Sequence, residues 1–155
     1  MPTTEETFTA PACQLALTGN QTVDLTSYRG KKNVVLYFYP KDDTPGCTTE
    51  AKDFAALDAQ FAAADTVVIG VSKDSLASHD KFRAKYSLPF ALASDASGLA
   101  EAFGAWGEKS MYGKKYMGMI RSTFLIAKSG EVVRSWRKVS VTGHAAEVLK
   151  AAQAL

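Results

Sequence analysis

Two continuously apolar runs bound what this chain can become. Val34 to Tyr39 reads VVLYFY and Thr66 to Val71 reads TVVIGV. A strand that is apolar on both faces must be covered on both faces, so VVLYFY is expected as a buried central strand and TVVIGV as a second one. Pro40 has no N–H to give a ladder and ends the first strand. A helix follows it, because Ala51, Phe54, Leu57 and Phe61 recur at three- and four-residue steps and make one apolar face. Ser75 to Tyr86 follows the second strand as another helix, with Leu76, Phe82 and Tyr86 turned inward.

The remaining segments extend this alternation. Ala12 to Leu25 reads as a short hairpin around Thr18-Gly19-Asn20. Pro89 to Ala93 is expected as a short strand, and Ser97 to Phe103 as a short helix. Gly104 to Met119, rich in Gly, Lys and aromatics, reads as a loop. Thr123 to Ala127 and Glu131 to Trp136 form a hairpin across Lys128-Ser129-Gly130, and Gly143 to Leu155 closes as a helix that buries Val148, Leu149 and Ala152. This order predicts an α/β fold, a mixed central sheet with helices on both faces. The thioredoxin-like fold has this order, as do several other α/β folds. At 155 residues the chain fits one domain, 1–155, with a sizeable core.

Composition excludes several functions. Hydrophobic residues make up 46% and charged residues 22%, and the net charge is only +2. Neither a nucleic-acid nor a membrane partner is expected from such a balance. The stretch MPTTEETFTAPACQL lacks the basic and apolar regions of a secretory signal, and no apolar run approaches the ~18 residues of a membrane span, so the expected location is the cytoplasm. The two cysteines, Cys13 and Cys47, belong to no C-x-x-C pair and to no Cys/His cluster with zinc spacing. No structural metal is expected.

Cys47 stands in YFYPKDDTPGCTTE, where a strand ends, a turn follows and a proline opens a helix. With Thr44 as N-cap, Pro45, Gly46 and Cys47 are the first three helical residues. A thiol reacts as thiolate, and free cysteine, with a pKa of ~8.5, holds little of it at neutral pH. A helix start supplies unpaired N–H groups and about half a positive charge, both of which favour the anion. Gly46 adds no side chain to block a ligand approaching the backbone. Most lone cysteines are small buried hydrophobes. The polar surroundings Gly46-Cys47-Thr48-Thr49-Glu50 argue instead for an accessible, reactive site.

Pro40, Thr44 and Cys47 spell P-x-x-x-T-x-x-C, which resembles the peroxidatic motif of the peroxiredoxins, thiol peroxidases on a thioredoxin-like fold. YFYPKDDTPGCTTEAKDF, GVSKDSLASHDKF and WGEKSMYGKKYMGMIRSTFLI are similar to the bacterioferritin comigratory protein, or PrxQ, subfamily over nearly the whole chain. The resemblance implies that Cys47 is the nucleophile that becomes sulfenic acid. It implies that Thr44 hydrogen-bonds the thiolate and the peroxide, that Arg121 stabilises both, and that Pro40 shields the sulfur. Backbone N–H groups of Gly46 and Cys47 are expected to add donors for the substrate. No cofactor is implied. The partners implied are a hydroperoxide substrate and an external thiol reductant, and the chain is implied to be a monomer.

The chain departs from its subfamily in one respect. A second, resolving cysteine commonly stands at the position of Lys52 or of Arg83, and neither is cysteine here. A one-cysteine mechanism is therefore expected, with glutathione, glutaredoxin or thioredoxin as reductant. Cys13 is the one candidate internal resolver, and its place in Ala10-Pro11-Ala12-Cys13 reads rather as a packing position. Taken without the family, Thr44 could be only a cap, Pro40 a strand terminator and Arg121 an exposed arginine. Glu50 and His144 are expected in solvent, and His79 as a satisfied packing residue. Trp106 and Met117 are candidates either for the pocket mouth or for the core. Lys109, Tyr112, Lys114, Lys115 and Tyr116 read as a solvated loop near the substrate entrance. Two other functions remain open, a redox sensor without turnover and a thioredoxin-like reductase, the latter weakened by the absence of a second cysteine beside Cys47.

Overall fold

The computed structural model describes residues 3–4, 7–95 and 98–155. Eleven strands are present among them: β1 (Thr3–Thr4), β2 (Phe8–Thr9), β3 (Gln14–Leu17), β4 (Gln21–Asp24), β5 (Asn33–Phe38), β6 (Thr66–Ser72), β7 (Ala91–Ser94), β8 (Trp106–Met111), β9 (Lys114–Met119), β10 (Ser122–Ile126) and β11 (Glu131–Arg137). The helices are α1 (Pro45–Ala56), α2 (Asp58–Ala63), α3 (Leu76–Lys85), α4 (Leu99–Phe103) and α5 (His144–Gln153), with a 3-10 turn at Leu25–Tyr28. The helix expected from Ser97 begins at Leu99, and Ser97 itself lies outside the described residues.

The main sheet runs β1-β11-β10-β5-β6-β7-β3-β4, with β2 also on β11. β5, β6 and β7 are mutually parallel, while β10 joins β5 antiparallel. Every residue of β5 is buried, as its unbroken apolar run requires. Its side chains divide by parity between two cores. Val35, Tyr37 and Tyr39 face α1, α2, α3 and α5, whereas Val34, Leu36 and Phe38 face α4 and the 3-10 turn. Tyr37 stacks on Phe54 of α1 with ring centroids 4.7 Å apart and lies over β6 at Gly70, where an added Cβ would come within 2.8 Å of the Tyr37 ring and hydroxyl. That close approach explains a glycine inside an otherwise β-branched strand.

Three local expectations are corrected. The apolar face expected to run from Ala51 to Phe61 is broken at Leu57, so Phe54 and Phe61 belong to two successive helices. Gly104 to Met119 is a hairpin rather than a loop, with β8 and β9 paired from Trp106↔Met119 to Met111↔Lys114. Tyr112 and Gly113 both take positive φ at its tip, the geometry of a two-residue hairpin turn. Its outer strands are exposed, so they lack the apolar pattern that betrays a buried strand. Finally, His144 is only 4% exposed, because α5 packs its first turn onto the sheet, where Thr123 Oγ1 lies 2.8 Å from His144 Nε2. His79 is buried and satisfied, as expected, by Asp42 and the Ala93 carbonyl.

Candidate active site

β5 ends at Phe38 and delivers the chain into the turn that starts α1. Pro45 takes the first helical position, where its missing N–H is one the helix would leave unpaired, and Thr44 is the N-cap residue with extended φ and ψ. The Thr44 side chain does not cap the helix, since its hydroxyl donates to the Lys41 carbonyl at 2.9 Å. Cys47 follows in the first turn, with only 2% of its surface exposed. The thiol is thus held at a helix start, as its sequence position required, but beneath the surface.

Arg121 comes from a segment distant in sequence. It lies between β9 and β10, directly before Ser122, and β10 pairs with β5. The ladder therefore sets arginine and cysteine against each other although 74 residues separate them. Arg121 Nη2 donates to Cys47 Sγ at 3.4 Å, and Nη1 donates to Glu50 Oε1 at 2.7 Å. An added Cβ on Gly46 would lie 3.1 Å from Nη2, so the glycine makes room for the guanidinium.

Glu50 corrects the expectation of a solvated helix residue. It is 1% exposed and shares the inward face of α1 with Cys47, one turn earlier. Burial pushes its carboxyl up to about 7, with the Arg121 charge opposing that rise. Glu50 Oε2 and the Tyr37 hydroxyl are buried without hydrogen-bond partners among the described residues. The Tyr37 hydroxyl is pushed well above the usual tyrosine range, first by burial and then by the charges of Glu50 and Cys47. Glu50 could have been suspected from its i+3 spacing to Cys47, which places the two on one helix face. Its partner could not, because nothing near it in sequence is arginine.

A cavity of about 390 Å³ opens beside this cluster. Pro40, Ile120 and Val139 line it with apolar surface, and Lys109, Arg121 and Lys138 line it with positive charge, alongside Glu108 and Ser110. Pro40 and Arg121 thus meet at the opening, while Thr44 makes no hydrogen bond to the sulfur in this arrangement. Lys109 is held by a 2.8 Å bond from Nζ to the Met119 carbonyl, and burial and the nearby Arg121 charge lower its pKa. Trp106 and Met117 do not line this cavity: Trp106 packs against the second core with Lys73 over its ring at 4.9 Å, and Met117 is 58% exposed.

Cys13 lies elsewhere. It packs half-buried against the core on the face of the sheet opposite Cys47. It leads into β3, which is three inter-strand steps from β5, on the order of 14 Å at ~4.8 Å per step. A disulfide needs Cα atoms within about 7 Å. Burial and the neighbouring Asp24 and Asp95 charges raise the Cys13 pKa, which makes it a poor nucleophile.

The family model described as AhpC/TSA matches residues 7–135. The chain belongs to the AhpC/TSA family. Within it the chain is a peroxiredoxin of the bacterioferritin comigratory protein, or PrxQ, group. It is 53% identical to peroxiredoxin Bcp of Bacillus subtilis over 142 residues, 91% of this chain and 90% of that protein. Peroxiredoxin Q of Xanthomonas campestris superposes with a TM-score of 0.87 at 48% identity, covering 92% of this chain and 90% of that one. A further structure, of the Xanthomonas campestris bacterioferritin comigratory protein, concerns alkyl peroxide reduction in a trapped intermediate/ligand complex and superposes at 0.86, with 48% identity and the same coverage. The fold of this peroxiredoxin is thioredoxin-like, the mixed sheet and two-sided helical cover read from its element order.

Proposed function

We propose that this peroxiredoxin reduces hydrogen peroxide and organic hydroperoxides through Cys47, in a one-cysteine cycle completed by an external thiol. Family membership makes it a thiol-dependent peroxidase in general terms. The observation that carries the finer reading is the 3.4 Å contact between Arg121 Nη2 and Cys47 Sγ at the first turn of α1.

The chemistry follows from that geometry. The Cys47 thiolate attacks the terminal oxygen of the hydroperoxide. The O–O bond breaks, its electron pair goes to the departing oxygen, and that oxygen leaves with a proton as water or an alcohol. The sulfur is oxidised to sulfenic acid. Charge moves from sulfur to oxygen during the step, so fixed donors near both lower the barrier. Arg121 is permanently charged and presents a planar fork, of which one arm is anchored by Glu50 and the other serves the reacting atoms. Gly46 and Cys47 offer backbone N–H groups, and the Thr44 hydroxyl is a donor once turned from the Lys41 carbonyl. Pro40 excludes bulk water at the mouth.

A thiolate from outside then attacks the Cys47 sulfur, displacing hydroxide, and a second thiol releases reduced Cys47 and a disulfide product. The separation of Cys13 from Cys47, with Lys52 and Arg83 at the alternative positions, supports the external route. No described helix is long and apolar enough to cross a membrane. We take the reaction to be carried by one domain over residues 1–155, acting as a monomer in the cytoplasm.

Peroxide consumption with excess thiol tests the assignment. Cys47→Ser is expected to abolish it while circular dichroism stays that of the parent. Wild-type turnover in that variant would remove Cys47 from the mechanism. Intact mass after one equivalent of peroxide, with a sulfenate trap present, is expected to show one adduct on Cys47. Loss of two hydrogens without an adduct would mean that Cys13 resolves.

A further inference from the structure

The cavity beside the site carries an excess of positive charge. Cys47 is 2% exposed, and Arg121, which touches its sulfur, lines the neighbouring cavity of about 390 Å³, a volume that suits a small molecule. Three cations line that cavity, Lys109, Arg121 and Lys138, against one acid, Glu108. The acid is already countered, because Lys115 Nζ lies 3.6 Å from its carboxylate. The Arg121 charge is countered by Glu50. Two cations are left over. Lys109 Nζ donates only to a neutral carbonyl, and Lys138 is exposed with no hydrogen bond or ion pair among the described residues. Pro40, Ile120 and Val139 add apolar contact within the same lining.

We propose that this cavity binds the carboxylate of the reducing thiol, so that the Cys47 sulfenic acid is resolved preferentially by a small thiol bearing negative charge. The proposal rests on the peroxidase reading above. The carboxylate would sit on Lys138 and Lys109, which draws the thiolate toward the sulfur beside Arg121. The thiolate forms the new S–S bond as hydroxide departs and takes up a proton as water. A second anionic thiol then attacks the outer sulfur of the mixed disulfide and frees the Cys47 thiolate. A cleft in which one sign of charge predominates raises local counter-ion concentration and on-rate, by about 10- to 1,000-fold where that charge is unopposed, an effect that fades with salt.

The test begins with protein oxidised by one equivalent of hydrogen peroxide and its sulfenate confirmed by trapped mass. Failure at that step would refute the peroxidase reading and not the charge argument. The sulfenate is then reduced with thioglycolate, mercaptoethanol and cysteamine, anionic, neutral and cationic in turn, with rates expressed per thiolate. Thioglycolate is expected to exceed cysteamine by about tenfold or more at low ionic strength, with the gap closing near 1 M salt. In Lys138→Glu the ratio of thioglycolate to mercaptoethanol is expected to fall severalfold, and in Lys138→Gln by less. Equal rates per thiolate for the three reagents, or ratios untouched by both substitutions, would overturn the proposal. So would a thioredoxin with its reductase that reduces the sulfenate equally well in wild type and Lys138→Glu and outruns every small thiol at equal concentration.

Discussion

At the scale of single residues, the site is a three-member relay in which Glu50 holds Arg121 and Arg121 meets Cys47. Arg121→Ala is expected to slow oxidation of Cys47 on the order of a hundredfold or more, as losing a charge-stabilising donor does elsewhere. Stopped-flow oxidation by hydrogen peroxide measures it, and a wild-type rate would remove Arg121 from the site. Gly46→Ala is a milder probe. Its methyl would press on Nη2 from 3.1 Å, and displacing the guanidinium is expected to slow oxidation about tenfold, or about 1.4 kcal/mol of barrier. Urea denaturation should show little change, since Gly46 is exposed and its φ is not positive.

At the scale of elements, α1 is tied to α3 through the turn that carries the site. Asp42 Oδ1 accepts from the Tyr39 hydroxyl at 2.6 Å, while Oδ2 accepts from the Ser78 hydroxyl at 2.8 Å and lies 2.7 Å from His79 Nδ1. His79 Nε2 lies 2.9 Å from the Ala93 carbonyl, so both ring nitrogens face acceptors. Asp43 binds Lys85 at 2.7 Å and the Tyr86 hydroxyl at 2.6 Å, on the exposed side of the same turn. The buried half should dominate, because the exposed pair is screened by water. Asp42→Ala is expected to destabilise the fold, because it strips the buried Tyr39 hydroxyl and His79 Nδ1 of their partner, at about 1–3 kcal/mol for each group left unpaired. Asp43→Ala should change the urea midpoint little. Comparable losses in the two variants would show that the buried network is not what anchors the turn.

At the scale of the whole molecule, two buried groups pull stability against pH in opposite directions. The Glu50 carboxyl is raised to about 7 from an ordinary value of 4.5. The folded state therefore binds its proton more tightly than the unfolded chain, and the stability so gained is present below 4.5 and lost as pH rises through 7. His144 is lowered to about 4 from 6.5, chiefly by burial. Its contribution is present above 6.5 and lost as pH falls through 4. The windows overlap, so the two slopes offset each other in the parent. Glu50→Gln should leave stability rising with pH between about 4.5 and 6.5, and His144→Gln should leave it falling. Urea midpoints across that range check both signs, and parallel curves for the three proteins would refute the assignment.

Much of this protein was decided locally, and locally decided features are those a sequence displays. The unbroken apolar runs dictated β5 and β6, Pro40 ended one strand, and Pro45 after Thr44 opened the helix that holds Cys47. Those choices depend on backbone geometry and side-chain chemistry within a few residues. The Cys47–Arg121 pair was legible only through family resemblance, because β10 brings the two together across 74 residues. Glu50 and His144 looked solvated because polarity suggests exposure until a neighbouring element covers it. The β8–β9 hairpin is fully buried only at Gly118 and Met119, so no alternating buried face leaves a pattern in its residues. The sequence by itself determined where a thiol would meet a helix start. Only the tertiary structure decided what faces that thiol and what charge lines the way to it, because both depend on strand pairing that no local preference encodes.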